Sequence, residues 1–337
     1  MKFLPNGKLD AELLGRLLGA IPRAPEALIG PGVGHDVTVL DLGQEELLLA
    51  TTDPITFATD DVGYYSVAVN ANDIATAGGI PRWFLATVLL PEGQTTPELV
   101  ERVFKQITDT CTKAGAFLVG GHTEVTCTGE GPVVVGQMLG TVRRDRLVRP
   151  DGMKAGDAIL LTKQVPLEGT ALIARECRED LLQSGDYEPA FIDECAALLY
   201  EPGIMVLPEA QAICNVVQPQ AMHDPTEGGL ATGLWEMAQA SGVGLRINYE
   251  AVPLLPQGLR LCQEFGLDPL GVIASGSLLI AVAPNAVAVA IAACRAAGVA
   301  CAAIGEATPA SEGVILVRDG RERELPRYDQ DEITKVL

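Results

Sequence analysis

Apolar positions recur along this chain with two periods, and the alternation between them outlines its elements. Alternating or continuous apolar runs predict strands at residues 37–42, 46–52, 84–90, 117–119 and 133–142, and again at 157–162, 244–248, 277–283 and 299–306. Between them, spacings of three and four predict helices at 10–18, 63–77, 96–114, 170–178, 189–199, 208–213, 229–241 and 285–297. Turn residues supply the punctuation. A Pro/Gly stretch spans 22–34, Gly78-Gly79 offers a left-handed helix cap before Pro81 stops continuation, Thr95 or Thr96 caps the 96–114 helix, and Gly120-Gly121 receives the 117–119 strand.

The strongest break in this pattern is the polar turn cluster Arg149-Pro150-Asp151-Gly152, followed by a new strand. A chain of 337 residues exceeds one average core, so two domains are expected, 1–150 and 151–337, each mixing strands and helices in an α+β (mixed α/β) fold. With 48% hydrophobic but only 4% aromatic residues, the cores are expected to be small and aliphatic. No short-period repeat is present.

Charge then narrows the function. Against 24 basic residues stand 44 acidic ones, a net charge of -20, which repels nucleic acid and anionic membrane surfaces. The same field makes an anionic ligand such as ATP an awkward guest unless divalent cations bridge it to carboxylates. The eight cysteines form no CxxC pair, which fits reduced thiols in the cytoplasm. The most apolar stretch, 278–304, is interrupted by Pro284, Asn285, Arg295 and Gly298, and no signal-peptide pattern opens the chain, so a soluble protein is expected.

The familiar nucleotide and hydrolase motifs are missing: there is no GxxxxGK[ST], no HExxH and no GxSxG, and Gly30-Pro31-Gly32-Val33-Gly34 lacks the third glycine of GxGxxG because Val37 stands there. What remains is a set of carboxylates at turns. Asp36 follows Gly34, Asp53 ends the 46–52 run, Asp73 lies in Asn70-Ala71-Asn72-Asp73, and Glu124 follows Gly120-Gly121-His122-Thr123. Such carboxylates are hard oxygen donors suited to Mg²⁺, and neighbouring glycines let backbone N–H groups approach phosphate. Each acid alone reads better as a cap or turn former; taken together they favour a metal site. His35, His122 and His223 sit in turn motifs, which leaves open both loop-stabilising hydrogen bonds and a His/Asp metallohydrolase site. Thr226-Glu227-Gly228-Gly229 opens a helix whose backbone donors suit a phosphate, and Lys163, at a strand end, offers a cation or is simply solvated.

In order, Gly34-His35-Asp36-Val37-Thr38-Val39, Thr51-Thr52-Asp53, Asn72-Asp73-Ile74-Ala75 through Gly78-Gly79-Ile80-Pro81, and Gly120-Gly121-His122-Thr123 resemble the aminoimidazole ribonucleotide synthetase (PurM) superfamily. Asp224-Pro225-Thr226-Glu227-Gly228-Gly229-Leu230 and Ala274-Ser275-Gly276-Ser277-Leu278 extend the likeness into the second half. Within the superfamily these motifs, with Glu168-Gly169-Thr170-Ala171, are most similar to the hydrogenase maturation factors of the HypE type. The resemblance implies a homodimer pairing its N-terminal sheets, Mg-ATP as cofactor, and phosphorylation of a substrate oxygen, selenide or phosphate. It implies Asp36, Asp53 and Asp73 as metal ligands, Asn72 beside the nucleotide, and Asp224 and Glu227 near the reaction. The chain departs from the pattern at its end, where the last cysteine is Cys301 and no terminal thiol carries a carbamoyl group, and at His35 and His122, where many relatives have acids.

Together these readings predict an ATP-dependent, Mg²⁺-requiring enzyme that phosphorylates or activates a small or carrier-bound substrate, with a maturation protein as a further partner and neither nucleic acid nor membrane bound. Asp224, Glu227, Lys163 and His122 are the expected catalytic residues; Asn72, Gly120, Gly121, Thr123 and Gly34 the expected nucleotide contacts; and Asp36, Asp53, Asp73 and Glu124 the expected metal ligands. The alternatives are a catalytically silent nucleotide-binding scaffold, or a thiamine-phosphate-kinase-like or cyclo-ligase-like member of the same superfamily.

Overall fold

The computed structural model describes residue 9 and residues 11–55, 60–129, 131–328 and 330–337. The first described helix, α1 (Ala11–Gly19), matches the expected opening helix, apart from residue 10, which lies outside the described residues. The chain forms two compact units. One comprises Arg23–Pro31 and Asp36–Leu147; the other holds the described part of Met1–Pro22, Gly32–His35 and Val148–Leu337.

The smaller unit contains β1 (Ala27–Ile29), β2 (Thr38–Leu40), β3 (Glu46–Ile55), α2 (Val62–Thr76), β4 (Ile80–Pro91), α3 (Pro97–Ala114), β5 (Phe117–Thr126) and β6 (Val133–Arg143). Its six strands run in the order β1-β2-β3-β6-β4-β5, antiparallel except for the β4–β5 pair. Helix α3 has the stronger local signals. Thr96 Oγ1 accepts the Leu99 N–H at 3.3 Å, Pro97 takes the first turn, and Gly115 closes the helix at φ 71°. Its stripe of Val103, Ile107, Cys111 and Ala114 is buried.

Helix α2 is buried along almost its whole length and has no polar face, so its polar side chains must be satisfied internally. Ser66 Oγ donates to the Gly63 carbonyl at 3.0 Å, Asn70 Nδ2 to the Ser66 carbonyl at 2.8 Å, and Thr76 Oγ1 to the Asp73 carbonyl at 2.7 Å. Alternation along the strands puts Leu47, Leu49, Phe84, Val134 and Met138 on the face that this helix covers. Gly136 makes the approach possible, since a Cβ there would lie 2.5 Å from Asn70 Nδ2.

Two turn readings are corrected here. Pro81 does not precede a strand but lies within β4, beside a register shift between Pro81 and Trp83 where the ladder needs no proline N–H. The Gly120-Gly121 pair does not turn the chain; β5 runs through it to Thr126. A Cβ on Gly121 would stand 2.0 Å from the Ala86 carbonyl oxygen, so this glycine permits the close approach of β4 and β5 just after the register shift between them.

The larger unit continues with β7 (Ala158–Thr162), α4 (Leu167–Glu176), α5 (Arg178–Ser184), α6 (Pro189–Ala197), α7 (Leu207–Val216), β8 (Ala221–His223), α8 (Gly229–Ser241), β9 (Gly244–Asn248), α9 (Pro256–Phe265), β10 (Leu279–Val282), α10 (Val287–Ala296), β11 (Cys301–Thr308), β12 (Val314–Arg318) and β13 (Arg321–Glu324). Its sheet runs β13-β12-β9-β11-β7-β10-β8, with β12–β9 as the parallel pair. Small aliphatic side chains fill its core as expected: Ile159, Leu161, Leu245, Ile247, Leu279, Ala281 and Ile304 pack against Leu230, Leu234 and Met237 of α8. Helices α4, α6 and α9 pack on one another, as do α7 and α10. No helix among the described residues is long and apolar enough to cross a membrane.

Candidate functional site

Two of the expected metal ligands, Asp53 and Asp73, lie where strand β3 and helix α2 of the smaller unit are fastened together, and a third, Asp36, stands just before β2. Strand β2 pairs with β3 through Thr38 and Ala50, so Asp36, two residues before β2, lies at the end of the ladder where β3 carries Thr51 to Asp53. Asp73 reaches the same region from α2, because Thr51 Oγ1 donates to its Oδ2 at 2.5 Å. The backbone N–H of Asp53 donates to Asn70 Oδ1 at 3.2 Å, fastening the strand to the helix. Asp73 is 6% exposed, whereas Asp53 and Asp36 are half-buried. Asn72 is fully buried, which suits a positioning role better than direct contact with a nucleotide. The donors at this end are carboxylates and a hydroxyl, a hard oxygen set that fits Mg²⁺. Thr51, which is not a carboxylate and so carries no ligand signal in sequence, holds Asp73, and Asn70 fixes the backbone at Asp53. Both lie inside the quoted motifs.

The residues on β5 stand elsewhere. Asp53, Gly136, Ala86 and Gly121 form one row across β3, β6, β4 and β5, three strand spacings or about 14 Å from end to end. That row faces α2, so Gly121 and Thr123 share its face, while Gly120, His122 and Glu124 project to the opposite face. His122 Nε2 and Glu124 Oε2 lie 3.1 Å apart on that exposed face. Within one chain the sheet itself separates His122 and Glu124 from Asp53 and Asp73. His122 also lies in a strand, not a turn, and so does His223, at the end of β8.

Lys163 is not available as a phosphate cation. It is 6% exposed, in left-handed backbone at φ 53°, and its ammonium donates to Glu209 Oε1 at 2.9 Å, the Met205 carbonyl at 2.8 Å and the Gly203 carbonyl at 3.2 Å. An ammonium has three donors, and all three are used. Glu209 is fully buried, so the strand-end lysine is the counter-ion of an interior acid and not a solvated side chain.

The Thr226–Gly229 turn is also more occupied than expected. Gly228 N–H donates to Asp331 Oδ2 at 2.7 Å, Gly229 N–H to the Thr226 carbonyl, and Ala231 N–H to the Leu270 carbonyl, so this helix start binds a carboxylate of its own chain instead of a phosphate. Asp331 Oδ1 accepts from Ile273 and Ile333 N–H at 3.2 and 2.8 Å. Burial nevertheless pushes its pKa up to about 6, against the three N–H donors and with the Glu227 charge adding to the rise. Glu168, buried at the start of α4, accepts from Ser275 N–H at 3.2 Å; burial, then the charges of Glu227 and Asp331, push it to about 8, so it holds a proton at neutral pH. Asp224 is 2% exposed and Glu227 half-buried, leaving Glu227 as the acid of this turn within a ligand's reach. His223 Nε2 lies 3.0 Å from Glu236 Oε2. Gly34, at φ 73°, sits where a Cβ would be 2.9 Å from the Glu236 carbonyl oxygen.

Comparison with known proteins agrees with this architecture. Residues 34–142 match the N-terminal domain of AIR synthase related proteins, and residues 154–318 match the C-terminal domain. The chain is 32% identical to the carbamoyl dehydratase HypE of Cupriavidus necator over 263 residues, 76% of this chain and 71% of that protein. The crystal structure of Escherichia coli HypE, a hydrogenase maturation protein, superimposes with a TM-score of 0.74 at 25% identity, covering 97% of this chain and 98% of that one. A structure of HypE in complex with ATP gives a TM-score of 0.68 at 23% identity, covering 94% and 90%.

Proposed function

Because the chain belongs to the AIR synthase related family of the PurM superfamily and is HypE-like within it, we propose that it binds Mg-ATP and phosphorylates an oxygen of a small or carrier-bound substrate. The observation that carries this reading is the fastening of Asp53 on β3 to α2, which bears Asp73: Thr51 donates to the Asp73 carboxylate and the Asp53 backbone N–H donates to Asn70. Asp36 and Asp53 would hold Mg²⁺ directly, with Asp73 behind them. The ion would neutralise triphosphate charge that a chain of net charge -20 otherwise repels. Transfer needs little covalent help from the protein: the acceptor oxygen bonds to the γ-phosphorus as the bond to the ADP oxygen breaks, and the chain's task is to position and to offset charge.

Isothermal titration with ATP in the presence of Mg²⁺ tests this. Asp53→Asn and Asp73→Asn are near-isosteric and are expected to weaken binding by at least about tenfold, ~1.4 kcal/mol. ATP affinity that ignores both Mg²⁺ and these substitutions would reject the reading. A second reading, a nucleotide-binding scaffold without turnover, is favoured by one specific observation: Lys163 and the Gly228 amide, two groups suited to phosphate, are both engaged inside the protein. Substrate-dependent release of ADP would eliminate it.

The homodimer and a maturation-protein partner belong to the same proposal. Support for the dimer comes from the sheet face opposite α2 and α3. Trp83 and Phe117 are neighbours across β4 and β5 and are 41% and 70% exposed, with Ile80 also exposed on this face. Such an apolar edge invites a second sheet.

A further inference from the structure

Beside the Lys163–Glu209 ion pair lie two thiols to which the proposed phosphoryl transfer gives no part. Cys294 is in the last turn of α10 and Cys301 is the first residue of β11. The connection between them is short and fixed: Val299 N–H donates to the Cys294 carbonyl at 2.9 Å, Gly298 takes φ 77°, and Lys163 N–H donates to the Ala300 carbonyl at 2.8 Å. This turn folds Cys301 back over Cys294, and the two thiols hydrogen-bond to each other. Cys294 is fully buried, while Cys301 is partly open to solvent.

Their surroundings are polar for an interior. Cys301 pairs across the ladder with Thr162, whose hydroxyl reaches Glu209 Oε1 at 3.3 Å, and the second oxygen of Glu209 is buried with no hydrogen-bond partner. The hydrogen bond from Cys301 lowers the Cys294 pKa below the ordinary thiol value, and the same bond, with burial, drives Cys301 upward. The pair therefore combines one sulfur sealed in the interior with one that solvent can reach. Cys111, Cys177, Cys195 and Cys262 are also buried and pushed to higher pKa, by desolvation.

We propose that Cys294 and Cys301 form an oxidation site in which a peroxide converts the two thiols into a disulfide joining the end of α10 to the start of β11. Peroxide oxidises Cys301 to a sulfenic acid, releasing one water. The Cys294 sulfur then attacks the Cys301 sulfur, the S–O bond breaks, and hydroxide leaves with the Cys294 proton as a second water, so two thiols and one peroxide yield one disulfide and two waters. The bond would staple the turn whose Ala300 carbonyl holds the Lys163 backbone.

Treating the purified full-length chain with hydrogen peroxide, then mapping peptides by mass spectrometry without reduction, tests the site. The expected result is a Cys294–Cys301 linked peptide lacking two hydrogens, formed from the folded protein and lost on adding dithiothreitol. It should be absent in Cys301→Ser, while the exposed Cys127 gains oxygen without a link. Oxygen accumulating on Cys301 with no link to Cys294 would overturn the proposal. So would a link that forms as fast in urea-unfolded chain as in folded chain, since proximity would then owe nothing to the fold. Because the linked peptide is sought in the unmutated chain, the test does not depend on any variant folding.

Discussion

At the scale of single residues, burial decides which charged groups can act. Lys163 and Glu209 are paired with side-chain exposures of 6% and 0%, and an ammonium in such a place cannot serve a solvent-borne phosphate. Removing one partner strands the other's charge, whereas removing both need not cost stability. We therefore expect Lys163→Met to lower unfolding free energy by about 3–5 kcal/mol, and Lys163→Met/Glu209→Met to recover most of that loss. Urea denaturation of the two variants measures the difference. Equal destabilisation would mean that the ion pair is not what makes the lysine necessary. In sequence, Lys163 is a lysine after an apolar strand, a pattern shared by many solvated lysines. Only the arrival of Glu209 from α7, 46 positions further along, reverses its meaning.

At the scale of elements, faces matter more than motifs. The Gly120-Gly121-His122-Thr123 sequence was legible as a place where backbones approach closely, and the closeness of Gly121 to the Ala86 carbonyl on the paired strand β4 is that approach. Its placement on a strand, with His122 and Glu124 on the face away from Asp53, was not legible, because a turn and a glycine-bearing edge strand share the same residues. The exposed apolar positions of β4 and β5 make that edge the place to break the proposed dimer. Phe117→Glu is expected to shift the protein toward monomer in sedimentation velocity and leave its circular dichroism unchanged. A monomeric unmutated chain would remove this part of the proposal. Elements with strong local signals, such as α3 with its Thr96 cap and α8 with its exact span at 229–241, were read from sequence nearly as they stand. Short β8 and the charged edge strand β13 carry no apolar alternation and escaped notice.

At the scale of the whole molecule, buried acids set how stability responds to pH. Glu168 is raised from 4.5 to about 8 and Asp331 from 3.8 to about 6, so the folded chain holds protons there that the unfolded chain releases. The sign follows from linkage: this contribution is complete below about pH 4 and is lost as pH rises through 6 and then 8. Stability should accordingly fall across pH 5 to 8 with a contribution of a few kcal/mol, and Glu168→Gln should flatten that slope. Thermal unfolding midpoints of both proteins over this range provide the check, and parallel slopes would show that Glu168 does not carry the effect.

The chain's own order of residues determined the α+β character, the small aliphatic cores, the acidic field that calls for a cation with any phosphate ligand, and the family likeness. These depend on composition, on local periodicity and on motifs contiguous in the chain. Tertiary structure alone decided which carboxylates meet. Asp53 and Asp73 are brought together because the Thr51–Asp73 and Asp53–Asn70 hydrogen bonds join β3 to α2, segments about twenty residues apart in sequence. The same holds for Lys163, sealed by Glu209, and for the Gly228 amide, taken by Asp331 from 103 residues away. A side chain's chemistry is written at its own position, but its partner, its burial and therefore its charge are fixed by residues that only folding brings beside it.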